Sequence, residues 1–323
     1  VMIEHRNAIN FFVGMDRTVP RDNDRPGVWL AVTSLSFDIS VLELFWTLTR
    51  GFKVIIHDEA RTKKGSDDAF RKPLGLGLFM WGNDDGAGPA KYRLLMEGSK
   101  FFDANGFAAV WTPERHFHAF GGPYPNPSVT GAAVAAVTKN IKIRSGSCVM
   151  PLHHPLRIAE EWGVVDNLSN GRVELAAASG WNPNDFVLRP ENHKNNKQVM
   201  FDMIDQVKAL WRGDKLSFPG PLGSDVEVLS LPRPVQNELQ IWVTTAGNPE
   251  TWIDAGRRGF NVLTHLLGQS VAEVGEKIRL YREARKEAGF DPEAGQVALM
   301  LHTLSLIHIS EPTRLESKSR IPS

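Results

Sequence analysis

The sequence predicts a parallel α/β fold on three observations. From Leu74 to Thr303, seven short apolar runs alternate with segments of helical period, the order expected when parallel strands are joined by returning helices. That number of repeats favours a (β/α)8 TIM-type barrel over a doubly wound sheet. No glycine-rich G-x-G-x-x-G turn follows the first run, so the usual mark of a dinucleotide-binding sheet is missing. Nothing after Thr303 supplies a further strand, so the expected barrel is truncated before its eighth strand.

The first strand is "LGLGLFMW" (74–81), and "AKYRLLMEGSKFFDANG" (90–106) is a helix closed by Asn105 and Gly106. "FAAVW" (107–111) is the second strand, followed by a Gly/Pro-rich loop and a helix of small residues, "SVTGAAVAAVTK". "IKIRSGSCV" (141–149) is the third strand. The helix after it starts near Pro155 and turns Ile158, Trp162, Val165 and Leu168 to one face. "RVELAAA" (172–178) is the fourth strand, and a helix near 197–212 buries Met200, Ile204, Val207 and Trp211 before Gly213 stops it. After a proline-broken excursion (216–237) come the fifth strand "QIWVTTA" (240–246), a helix from about Pro249, and the sixth strand "FNVLTH" (260–265). Ser270 and Glu273 form a capping box for a helix with Val274, Ile278 and Tyr281 inside. "QVALMLHT" (296–303) is the seventh strand.

Composition narrows the function. The 323 residues carry 37 basic and 37 acidic side chains, a formal charge of zero. That balance gives no footprint for nucleic acid or an anionic membrane. No run has the length of a membrane span and no secretory leader opens the chain. The single cysteine, Cys148, excludes an internal disulfide and a cysteine-rich zinc site. A cytoplasmic location is expected, and Cys148, in the apolar setting "SGSCVMP", reads as a core residue rather than a nucleophile. Residues 1–57 form a separate region, and 58–73, "DEARTKKGSDDAFRKP", have the charge and apolar poverty of a linker.

In a barrel the loops after the strands' C-terminal ends build the site. Here those loops are "GNDDGAG", "TPERHFHAFGGPYPNP", "MPLHHP", "SGWNPNDF" and "GNPET", with Trp111 and Trp181 at strand ends. Such a rim suits a large, flat, partly anionic ligand. "AGNPET" opens a helix, so backbone amides near Gly247 and Asn248, with the Thr251 hydroxyl, are placed either to receive a phosphate or to form an ordinary N-cap. Glu114, His116 and His118 stand at every second position, which on a strand would put a carboxylate and two imidazoles on one face, as a metal site requires. Pro113 argues against that alignment, and no metal is expected there. His153 and His154 precede a helix-starting proline, where neighbouring side chains point apart, and both read as structural.

The stretches "LGLFMWGND", "FAAVWTPERHF", "NPSVTGAAVAAVTKNIKIRSGSCVMPLHHPLRIAEEWGVVDNLSNGRVELAAASGWNPNDF" and "WVTTAGNPETWIDAGRRGFNVLTH" occur in an order that resembles the luciferase-like flavin-dependent monooxygenases, in particular the subgroup of natural-product assembly lines. The resemblance covers Leu74 to Thr303. It implies a barrel of the bacterial-luciferase kind, reduced FMN (FMNH2) at the C-terminal mouth, activation of O2, a flavin reductase as partner, and deazaflavin F420 as the alternative cofactor. It implies that Glu114, Arg115 and His116 line the mouth, with His116 as the acid–base group because imidazoles titrate near neutrality. It places Gly146 and Ser147, with a non-proline cis peptide, beneath the flavin ring. Ser179 and Gly180 fall beside the ribityl-phosphate, Trp181 on the wall, and Gly247, Asn248 and Thr251 at the phosphate. Two positions depart from luciferases proper: Arg115 stands where they carry a histidine base, and Ser179 where they carry a phosphate-binding arginine.

Residues 1–57 resemble a different family, the adenylation domains of nonribosomal peptide synthetases, through "VMIEHRNAINF" and "SLSFDISVLELFWTLTRGFKVII". Asp38 falls on the position that grips the substrate's α-amino group in that family's F-D-x-S motif, its bland alternative being a helix cap. A monooxygenase inserted in an adenylation domain implies a carrier-protein-bound aminoacyl or peptidyl substrate and the rest of the synthetase as partner. The sequence leaves monomer and dimer open, and a non-catalytic inserted barrel stands as the other class of reading. Both ends look cut, and residues 304–323 are expected to be non-native, because "LSLIHISEPTR" back-translates to a transposase-type sequencing adapter.

Overall fold

The computed structural model describes residues 28–31, 47, 50, 53–56 and 74–301. The chain divides into two compact units, and Gly75–Leu301 make up one of them. In the other, strands β1 (Val28–Ala31) and β2 (Lys53–Ile56) pair in parallel, Val28 opposite Lys53. Asp38, the 58–73 segment and the 304–323 tail lie outside the described residues.

The larger unit is built on seven parallel strands in the order β12-β11-β10-β7-β5-β4-β3, a nearly closed barrel. They are β3 (Gly77–Phe79), β4 (Ala109–Thr112), β5 (Lys142–Ser145), β7 (Val173–Ala178), β10 (Gln240–Thr244), β11 (Asn261–His265) and β12 (Val297–Met300). The helices between them are α1 (Arg93–Ala104), α2 (Pro127–Val137), α3 (Pro155–Ser169), α4 (Asn196–Arg212), α5 (Pro249–Arg257) and α6 (Val271–Glu287). The third strand differs from expectation. It breaks at the cis peptide Gly146-Ser147, leaving β5 and a short β6 (Cys148–Val149), and both pair with β7. The proline-broken excursion also contains an antiparallel hairpin, β8 (Leu216–Pro219) with β9 (Asp225–Val228).

Period-two alternation sorts the strand residues into two layers. Ala109, Trp111, Ala176, Trp242 and Leu263 meet inside the barrel. Their neighbours Val110, Leu175, Ala177, Ile241, Val243 and Val262 face outward against helix residues such as Leu95, Trp162, Ile204, Trp252 and Tyr281. Both faces are therefore buried, which is why the strands read as near-continuous apolar runs. Each fully buried large side chain contributes about 1.5–3 kcal/mol.

The helix boundaries follow local chemistry. Pro155 occupies the first turn of α3, Gly213 ends α4 with φ 102°, and Ser270 and Glu273 form the full capping box of α6. Leu168 is a correction: it is exposed, and the inner face of α3 runs Ile158, Trp162, Val165, Ser169. A stripe with 3.6 residues per turn takes the i+4 step there rather than i+3.

One ion pair lies inside the barrel. Arg144 Nε donates to Glu174 Oε2 at 2.7 Å, and Trp242 Nε1 donates to the same oxygen at 2.8 Å. The guanidinium carbon of Arg144 sits 4.3 Å from the Trp242 ring centre and 4.8 Å from that of Trp111. Among the described residues no helix is long and apolar enough to cross a membrane.

Candidate active site

The C-terminal end of β4 starts the site. Thr112 Oγ1 donates to the carbonyl of Pro127 at 3.0 Å, tying the strand end to α2, and the chain then turns through Pro113. This delivers Glu114 into the protein, with its side chain fully buried. Its Oε1 lies 2.9 Å from His116 Nε2 and 2.7 Å from His153 Nε2, and its Oε2 accepts the Val149 N–H at 2.7 Å. An ionised carboxylate only accepts, so both Nε2 atoms carry protons and donate. Each ring then keeps its Nδ1 free of Glu114.

Burial opposes charge on Glu114, yet the hydrogen bonds from His116 and His153, the His153 charge and the Val149 amide outweigh it and hold the carboxyl below its ordinary range. Burial likewise opposes charge on His153, but the Glu114 hydrogen bond and charge prevail and raise it above the ordinary histidine value. The result is one anion locking two imidazoles.

His153, read from the sequence as structural, is brought by the fold against Glu114. The signal lay in its neighbour: Pro155 starts α3, so His154 becomes the N-cap, accepting the Leu156 N–H at 3.3 Å. His153, on the other side of that constraint, turns inward. Cys148 Sγ also lies within 4.8 Å of donor atoms of Glu114 and His153. Burial first, then the charges of Glu114 and Glu161, push its thiol well above the ordinary range, consistent with the core role expected for it. The period-two trio Glu114, His116, His118 is not assembled: Phe117 takes a left-handed φ of 53°, and the exposed His118 accepts the Phe120 N–H instead.

Arg115 points elsewhere. Its backbone N–H donates to the Tyr124 carbonyl at 2.9 Å, and its guanidinium carbon lies 4.4 Å from the ring centre of Trp181. The side chain is buried, and its Nε has no hydrogen-bond partner. Trp181, just past the end of β7, is 79% exposed. Asp185, on the short helical turn Pro183–Leu188, is held by Asn182 at 2.7 Å; burial pushes its carboxyl up while Arg115 and His116 pull the other way.

Gly146 donates its N–H to the Thr112 carbonyl at 2.7 Å, and Ser147 Oγ lies 2.6 Å from Thr244 Oγ1. The expected cis peptide is present between them. Glycine at Gly146 is also required by the barrel itself. A Cβ there would lie 2.7 Å from Phe79 and 2.9 Å from Trp111 Cβ, so the barrel's own aromatics take the space. Gly180 has φ +87° and faces Phe186, while its carbonyl accepts from Asn196 Nδ2 at 3.1 Å. Half-buried Ser179 precedes it. At the N-terminus of α5, Asn248 caps through the Glu250 N–H at 3.0 Å, and Thr251 is buried in the first turn. Space beside Gly247 is open, since a Cβ there would meet nothing within 4 Å.

The structure thus brings together Glu114, His116 and His153, then Arg115 with Trp181, and Ser147 with Thr244. Gly247, Asn248 and Thr251 stand at the end of β10, a strand beside β7, whose end carries Ser179, Gly180 and Trp181. An open glycine at a helix N-terminus fits an anionic group, and the exposed Trp181 at the neighbouring strand's end fits a flat one.

Comparison with known proteins follows this geometry. A family model described as luciferase-like monooxygenase matches residues 77–311. The oxygenase component of a flavin-dependent trigonelline monooxygenase from Acinetobacter baylyi is 30% identical over 215 residues, 66% of this chain and 59% of that protein. An alkanal monooxygenase alpha chain from the Kryptophanaron alfredi symbiont is 26% identical, over 58% of this chain and 52% of that one. Among solved structures, the monooxygenase RslO1 from Streptomyces bottropensis aligns with TM-score 0.61 and 27% identity, covering 70% of this chain and 69% of its own. An F420-dependent secondary alcohol dehydrogenase aligns at TM-score 0.57 and 19% identity over 70% of this chain and 68% of that one, a likeness of fold alone. The chain spans about three-fifths of the length of the first curated relatives.

Proposed function

The chain belongs to the luciferase-like monooxygenase family, and from that membership we propose that it is a flavin-dependent monooxygenase, using reduced FMN and O2 to oxidise an organic substrate at the barrel's C-terminal mouth. The observation that carries the reading is the buried Glu114 carboxylate fixing His116 and His153 by their Nε2 atoms. Such an arrangement leaves the His116 Nδ1 as a placed proton acceptor or donor, which general acid–base chemistry requires.

The residues present fit the flavin. Backbone amides at Gly247 and Asn248 and the Thr251 hydroxyl would hold its phosphate, because Asn248's own side chain is already committed to capping α5. Ser179 and Gly180 would take the ribityl chain, and Gly146-Ser147 would lie beneath the ring. When bound, the reduced flavin supplies the two electrons that O2 activation needs, and a flavin reductase replenishes them. The protein's part is to orient and to exclude water. Trp181 walls the mouth, and Trp81 and Phe120, stacked 5.4 Å apart, close the side after β3.

The proposed substrate is an aminoacyl or peptidyl chain tethered to a carrier protein. Its support is the resemblance of residues 1–57 to an adenylation domain. Anaerobic titration of the chain with reduced FMN and, in parallel, reduced F420 tests the cofactor. Preferential binding of FMN is expected; no binding at high micromolar concentration contradicts the proposal, and a preference for F420 moves the protein to an F420-dependent oxidoreductase. Oxygen-dependent mass gain on a carrier-bound aminoacyl substrate tests the reaction.

A further inference from the structure

We propose that the Arg115 guanidinium, laid over Trp181, is the receptor for a carboxylate of the organic substrate. Arg115 is 8% exposed, and among the described residues it makes no ion pair and its Nε has no partner. Buried cations are paired in folded proteins, so one without an ion pair at the C-terminal end of the barrel is matched to an incoming anion. The side chain is also fixed in advance. Its backbone is tied to Tyr124, and its stem lies against Gly121, where a Cβ would come within 2.8 Å of Arg115 Cγ. A planar guanidinium held this way presents the two-pronged edge that matches a carboxylate.

The protein's own carboxylates are committed. Both Glu114 oxygens are occupied by His116, His153 and the Val149 amide. Asp185 is the carboxylate whose charge acts on Arg115, but it makes no ion pair with it; its Oδ1 is held by Asn182, and burial disfavours its charge. The flavin phosphate is the other conceivable anion, but its expected cradle is at the end of β10. Arg115 is delivered by β4, with β7 and β5 between it and β10, yet its guanidinium reaches Trp181 just past the end of β7, beside β10, so the flavin phosphate is the rival occupant that the test must separate. Assigning the anion to the substrate rests on the flavin-dependent reading above. For a carrier-tethered chain the thioester consumes the α-carboxyl, so the recognised carboxylate belongs to the side chain of the acyl group.

The test uses the full chain with benzoate as anionic probe and benzamide as its uncharged match, followed by ligand-observed NMR. Benzoate affinity is expected to fall at least tenfold in Arg115→Gln and by a smaller, intermediate factor in Arg115→Lys, which keeps the charge but not the planar fork, with benzamide the same in all three. The charge-retaining variant and a circular dichroism spectrum separate loss of the receptor from loss of the fold. Equal benzoate binding in wild type and Arg115→Gln, or none in wild type, overturns the proposal. A parallel titration with FMN and riboflavin separates the two anion sources. If Arg115→Gln abolishes the preference for FMN over riboflavin, the receptor serves the flavin phosphate and the substrate assignment falls. If wild type binds neither flavin yet binds benzoate through Arg115, the function reading fails while the anion site stands.

Discussion

Arg144 and Arg115 have the same burial and the same kind of neighbour, yet opposite states. Each is 8% exposed and each lies over a tryptophan, Trp242 for Arg144 and Trp181 for Arg115. Arg144 has Glu174 at 2.7 Å, and that carboxylate is further satisfied by the Trp242 indole. Arg115 makes no ion pair among the described residues, and its Nε has no hydrogen-bond partner. The closed arginine belongs to the barrel interior, and the one without an ion pair is the proposed receptor. A buried charge that the protein completes belongs to its fold, whereas one left incomplete belongs to its chemistry.

The comparison breaks most sharply at Glu174. Glu174→Ala leaves Arg144 as uncompensated as Arg115 but without access to a ligand, and should cost about 3–5 kcal/mol of stability. Urea denaturation measures this, and a loss below 1 kcal/mol would mean the interior pair is not closed in the sense argued here. Glu114→Gln comes next, at about 1.5–3 kcal/mol for lost charge-assisted hydrogen bonds. Its effect should depend on pH. The lowered Glu114 contributes stability above the ordinary carboxyl value of 4.5, lost as pH falls through its depressed value. The raised His153 contributes fully below 6.5, and its share is lost as pH rises through its elevated value. The wild-type advantage over Glu114→Gln should therefore be greatest between those two values and shrink on both sides. In the same variant, the His153 ring resonances in NMR should titrate at lower pH than in wild type.

Smaller effects sharpen the account of the mouth. Gly146→Ala forces a Cβ against Phe79 and Trp111 and should cost about 1–3 kcal/mol through overpacking. Asn248→Ala removes only the cap of α5, worth about 1 kcal/mol. If the phosphate is held by backbone amides, flavin affinity in Asn248→Ala should change little beyond that loss of helix order.

Much of this was legible in the sequence, for physical reasons that also explain the gaps. Burial on both faces made the barrel strands read as apolar runs, and the Ser270–Glu273 box and Gly213 marked helix ends through purely local chemistry. Leu168 was misplaced because a one-residue difference in helical step is invisible without the neighbour that selects it. The β8–β9 hairpin was hidden by its prolines and exposed alternation. Within the site, Glu114 and His116 were found from their position after a strand. His153 was not, because its partner lies 39 residues away, a distance that only the fold closes. Arg115 was noticed as a departure from luciferases, but its unpaired state is a property of three-dimensional packing.

The most direct test of the central claim places the flavin. With the nine tryptophans labelled with 15N, adding FMN should shift the Trp181 indole signal. It should leave that of Trp211, whose Nε–H is bonded to the Gln236 carbonyl, where it was. Perturbation of Trp211 with Trp181 unmoved, or no perturbation at saturating FMN, would contradict a flavin site at the C-terminal mouth.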